Sequence, residues 1–131
     1  MMLIVDAHED IAWNMRTFGR DYTRSALWTR QQEAGSPTPQ RNGNTLLGKS
    51  EWLLGHVGVI FATLFVAPAR HGHGEWDTQC YHNAREAYNL ARAQLDAYHR
   101  LAGDDAAFRL IGTRSDLEAV AGSWAEDRSL E

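Results

Sequence analysis

Apolar residues along this chain fall into two patterns, short continuous blocks and stripes spaced three or four residues apart. The first block, Leu3 to Ala7, predicts a strand, and Ile11 to Phe18 after it predicts a helical turn or short helix. From Arg20 to Ala34 the chain is polar, with Tyr22, Ala26, Leu27 and Arg30 at near-helical spacing, which predicts a second helix. "GSPTPQRNGN", Gly35 to Asn44, is loop by composition. Too little chain precedes it to build an independent core, so it reads as an excursion within one domain. "VGVIFATLFV", Val57 to Val66, is a continuous apolar run closed by Pro68. Continuous apolarity predicts a strand buried on both faces, as in a parallel sheet covered by helices. A loop, "ARHGHGEWD", follows.

The strongest helical stripe runs from Thr78 to Leu101, where Tyr81, Ala84, Tyr88, Ala91, Leu95 and Tyr98 fall three or four apart. Asp77 or Thr78 is placed to cap its start, and Gly103 lies where a C-cap glycine belongs. "FRLIG", Phe108 to Gly112, predicts a short strand. "SDLE", Ser115 to Glu118, matches a capping box ahead of Leu117, Val120, Ala121 and Trp124 at helical spacing. The order strand, helix, strand, helix, strand, helix predicts an α/β fold with parallel strands joined by crossover helices.

Composition narrows the class. A length of 131 residues suits one domain, residues 1–131, with one core. The net charge is −4 with no basic stripe, which argues against nucleic acid or an anionic membrane as partner. The single cysteine, Cys80, allows no internal disulfide and suggests a reducing compartment. No basic leader precedes the first apolar run, and "VGVIFATLFVAPA" is far short of the roughly 20 residues that span a bilayer. A cytoplasmic protein is the expectation.

Chemistry concentrates in "IVDAHEDIAWN", Ile4 to Asn14. Asp6, His8 and Asp10 occupy alternate positions, which an extended strand turns to one face. Buried charges are costly unless paired or bound to metal. Imidazole nitrogen and carboxylate oxygen are zinc donors, and an H-x-D step at the end of a strand can bring two of them together. The plainer alternative makes His8 a strand-end histidine and Asp10 the cap of the helix that begins at Ile11. Asp6 is a candidate to orient His8 from behind, and Trp13 a candidate wall for a substrate pocket. Cys80 is read as packing.

The stretch resembles the opening of the membrane dipeptidase family, a branch of the amidohydrolase superfamily. Its members begin with a strand ending in D-x-H-x-D, followed by an apolar residue and Trp, here Asp6, His8, Asp10, Ile11 and Trp13. Most amidohydrolases carry H-x-H at this place. "GVIFATLFVAP" is similar to the family's second strand, and "QLDAYHRL" with "FRLIGTRSDLEAV" to the helix, strand and helix after it. The resemblance covers nearly the whole chain. It implies a (β/α)8 TIM barrel, of which this would be the first two to three β/α units. It also implies a zinc-dependent dipeptidase in which two zinc ions share a bridging water, with His8 and Asp10 holding one of them.

The chain departs from that pattern after its third helix. The resemblance places a bridging glutamate on the next strand and two further histidines on later ones. The tail carries Glu126, Asp127 and Glu131, none of which follows an apolar strand. A full barrel needs about 250 residues, so the expectation is an N-terminal portion with little activity alone. His71 and His73 follow the second apolar run and could bind metal, although a histidine pair in so flexible a loop often binds nothing. His82 and His99 fall on the long helix, and His56 at the opposite end of the second strand. Two rival readings remain. One is a non-catalytic α/β module that self-associates through an exposed sheet edge. The other is a metal-dependent phosphoesterase, for which H-x-H and basic phosphate contacts are wanting.

Overall fold

The computed structural model describes residues 2–126. Two strands organise it. β1 (Ile4–Glu9) and β2 (Val57–Ala62) pair in parallel, and helices fill the connection between them: α1 (Ile11–Phe18), α2 (Ala26–Glu33), α3 (Thr38–Asn42) and α4 (Lys49–Leu54). After β2 come two minimal strands, β3 (Ala67–Pro68) and β4 (Cys80–Tyr81), which form a separate parallel pair. The long α5 (Ala84–Asp104) and α6 (Arg114–Glu126) complete the described chain. This is a mixed α/β structure with short parallel strand pairs.

The parallel β1–β2 pair is irregular twice, between Ile4 and Val5 and again between Asp6 and Glu9, where the chemistry lies. Asp6 stands opposite Ile60 and Glu9 opposite Ala62, so β1 spends one residue more than β2 over the same span. Such a bulge re-aims the side chains that follow it. It places Glu9, and not its neighbours, in the interior. The core lies between α1, α4 and α5: Ile11 and Ala12 from α1, Trp52 from α4, Ala97, Tyr98 and Leu101 from α5, and Tyr22 from the turn before α2. Gly19 ends α1 in the left-handed conformation with φ 67°, where glycine carries no Cβ penalty. Gly58 is required by close approach, since a Cβ there would stand 2.2 Å from Leu3 Cδ1 and 2.8 Å from the Trp124 indole nitrogen.

Several elements differ from the sequence expectation. The second helix is confined to Ala26–Glu33, capped by the Ser25 hydroxyl, and the 35–44 loop contains the short α3. β2 ends at Ala62 and is only partly covered, with Phe61 and Ala62 exposed. The long helix begins at Ala84 because β4 occupies Cys80 and Tyr81; Asn83 caps it, accepting from the Glu86 amide at 3.0 Å. Its buried residues are Gln94, Ala97, Tyr98 and Leu101, whereas Tyr88 and Leu95 of the expected stripe are exposed. Gly103 falls inside its last turn. Phe108–Gly112 forms no ladder: Phe108 packs edge-on against Trp52, and Leu110 and Ile111 are exposed. An apolar run becomes a strand only where a neighbouring strand offers its edge, and among the described residues β2 pairs with β1 alone. The capping box of α6 is built two residues early, from Thr113 and Asp116 bonding reciprocally. Asp127 and Glu131 lie outside the described residues.

Candidate functional site

The end of β1 carries Asp6, His8 and Glu9, and the chain turns into α1 at Asp10. Asp10 is past the strand, with φ −89° and ψ 52°, so it does not share a strand face with Asp6 and His8. The turn nevertheless brings its carboxylate to His8: Nε2 of His8 lies 3.4 Å from Oδ1 of Asp10. Asp6 acts on the backbone rather than the ring, accepting the His8 amide at 2.9 Å. The His8 side chain is 70% exposed and open to solvent.

Two residues from elsewhere reach this corner. Thr63, immediately after β2, donates its hydroxyl to Asp10 Oδ1. Its amide donates to the Glu9 carbonyl at 3.0 Å, continuing the strand pairing. Tyr98, buried on α5, donates its hydroxyl to the Thr63 carbonyl at 2.7 Å and accepts the Ala12 amide at 3.1 Å. Burial holds the Tyr98 phenol above its ordinary range, so the proton it donates is kept.

Glu9 is set apart by burial, at 6% exposure. One carboxyl oxygen accepts the Trp52 indole N–H at 3.1 Å, and the other is buried with no partner among the described residues. Burial raises its pKa to about 7; the indole bond opposes the shift and the negative charge of Asp6 adds to it. Beside it, Tyr22 stacks on Trp52 at 5.5 Å, and burial pushes its phenol up to about 12. Asp6, His8 and Glu9 line a cleft of about 320 Å³ together with Asn14, Arg20, Tyr22 and the 44–47 loop. Arg20 makes four hydrogen bonds there: Nε and Nη2 grip Glu33 at 2.8 and 3.1 Å, Nη1 donates to Asn14, and Nη2 also donates to the Gly43 carbonyl. This buried, bidentate pair fixes the loop that walls the cleft.

Trp13 does not line that cleft. It lies edge-on to Phe18 at 5.5 Å and to Phe65 at 6.4 Å, and Phe18 stacks in turn on Trp76 at 5.5 Å. His71 ends a single 3-10 turn, Ala69–His71, directly after β3, and His73 lies in the loop beyond it with its ring stacked on Trp76. Cys80 lies in β4, ahead of α5 and not in its first turn, and burial and Asp77 raise its pKa.

Glu9, Thr63 and Tyr98 were not singled out from sequence as site residues. The one available signal was Thr63, a lone polar residue interrupting "VGVIFATLFV".

Two donors each about 2.0–2.1 Å from a tetrahedral zinc stand roughly 3.3–3.4 Å apart. The His8–Asp10 separation of 3.4 Å therefore fits one edge of such a site. Among the described residues, no group of three or more His, Cys, Asp or Glu side chains is gathered as a metal site. No protein-family model, curated protein or solved structure matches the chain.

Proposed function

We propose that this chain carries the first part of a zinc-dependent dipeptidase site, built on the opening β/α units of a (β/α)8 barrel. The observation that carries the reading is the approach of His8 Nε2 and Asp10 Oδ1 to 3.4 Å, at the C-terminal end of a parallel strand. Reactive groups of β/α barrels sit at that end of their strands. The D-x-H-x-D-I-x-W run of Asp6 to Trp13 supports the dipeptidase branch in particular. His8 and Asp10 would hold one zinc ion, and Asp6 would fix the backbone of His8. Bound zinc acidifies water and polarises a peptide carbonyl, the chemistry that such hydrolysis needs. Two donors hold zinc more weakly than the three or four of a complete site, so catalysis would need further ligands besides His8 and Asp10.

Calorimetric titration with zinc tests the reading. Binding is expected in the wild type and its loss in both His8→Ala and Asp10→Ala. Equal zinc affinity in all three proteins would refute it.

A second reading, self-association as a non-catalytic module, draws on the sheet itself. Among the described residues the β1–β2 pair has no third strand, and Val5, Phe61 and Leu64 are exposed around it.

A further inference from the structure

Asp10 occupies the N-cap position of α1, yet its side chain makes no cap bond. Aspartate at this position ordinarily accepts the amide of the second or third helical residue. In α1 the second helical residue is Ala12, and its amide is already taken by the Tyr98 hydroxyl, 86 residues away in sequence, at 3.1 Å. The carboxylate that would have capped the helix is turned instead to the Thr63 hydroxyl and to His8. One tyrosine serves both ends of this exchange, because the same hydroxyl donates to the Thr63 carbonyl at 2.7 Å.

We infer that Tyr98 and Thr63 are positioning residues for the candidate metal donor Asp10: Tyr98 caps α1 in its place, and Thr63 holds the released carboxylate beside His8. The inference deepens the zinc-site reading and rests on it for its purpose. The geometry explains why a buried polar group is worth keeping on α5. A phenylalanine would fill the same space but remove the partner of the Ala12 amide, and Asp10, at the N-cap, is the residue whose carboxylate ordinarily accepts that amide. Asp10 would then choose between capping and standing by His8. A carboxylate fixed in advance loses less freedom on taking up a metal, and loss of such supporting contacts commonly lowers metal affinity about 10–100-fold.

The test uses Tyr98→Phe, Thr63→Val and Thr63→Ser, read in two ways. Without metal, three-bond couplings from the amide nitrogen and the carbonyl carbon to Cγ report the χ1 angle of Asp10. A single rotamer is expected in the wild type and Thr63→Ser, averaging in Thr63→Val, and a different dominant rotamer in Tyr98→Phe as Asp10 swings to the Ala12 amide. With zinc, Tyr98→Phe and Thr63→Val are expected to bind at least about 10-fold more weakly, and Thr63→Ser to stay within about 3-fold of wild type. Unchanged Asp10 couplings in Tyr98→Phe and Thr63→Val would overturn the inference, whatever the zinc data show. If Tyr98→Phe fails to fold, the Thr63 pair carries the test alone. A wild type that binds zinc no better than His8→Ala would instead defeat the zinc-site reading, leaving the positioning claim to be decided by the couplings.

Discussion

Glu9 lies between the two candidate donors in sequence but belongs to a different environment. His8 is open to water, whereas Glu9 is buried against Trp52 with one oxygen unpartnered among the described residues. Its pKa is raised from 4.5 to about 7, with burial the main cause. Between those values the folded chain holds a proton that the unfolded chain has released. As far as Glu9 is concerned, stability is therefore greatest below pH 4.5, falls as pH rises and levels off above about 7. The shift corresponds to on the order of 3 kcal/mol. Glu9→Gln is expected to remove this loss, so the variant gains on wild type between pH 5 and pH 8 in urea denaturation. A constant difference between the two proteins across that range would contradict the assignment. The sequence made His8 and Asp10 legible because H-x-D is a donor pattern in itself. It could not mark Glu9 as buried, because alternation assigns it by parity to the face opposite His8, and only the bulge in β1 and the indole of Trp52 give that face its depth.

At the scale of elements, α5 is the clearest case of a legible helix with an illegible face. The apolar spacing located the helix, but its interior face is set by Gln94, which has 0% exposure. Gln94 accepts the Phe65 amide at 2.8 Å, donates to the Phe65 carbonyl at 2.6 Å and reaches Gln79 at 3.1 Å. A side-chain amide thus supplies the backbone pairing that a further strand would have given the chain beyond β2. Reading burial from hydrophobicity necessarily passes over such a residue, and it turned the expected stripe toward Tyr88 and Leu95. Gln94→Leu leaves the two Phe65 backbone groups without these partners and is expected to cost about 1–3 kcal/mol in urea denaturation. A change within about 0.5 kcal/mol would mean that water replaces the clamp without penalty. The expected strand over Phe108–Gly112 failed for a related reason. Strand formation is a property of pairs, and the sequence of one segment does not reveal whether an edge awaits it.

For the molecule as a whole, the α/β class and the parallel pairing of the first and second apolar runs were legible, since continuous apolar blocks separated by helical segments leave few other arrangements. The minor β3–β4 pair was not, because two-residue strands leave no periodicity to read. No helix among the described residues is long and apolar enough to cross a membrane. Among the described residues the β1–β2 sheet stops at two strands, and side chains such as Val5 and Phe61 remain exposed beside its edges. Parallel sheets are ordinarily covered on both faces, so concentration-dependent self-association is expected in sedimentation velocity. A single monomeric boundary across the accessible concentration range would argue against the edge as an interaction surface.

Of the chain's six histidines, His8 is the one proposed to meet zinc together with Asp10. The most direct measurement follows all six imidazoles by nitrogen-edited NMR during a zinc titration. The His8 ring is expected to shift first, with its response lost in Asp10→Ala. Shifts that begin at His71 and His73 and leave His8 unmoved would contradict the account.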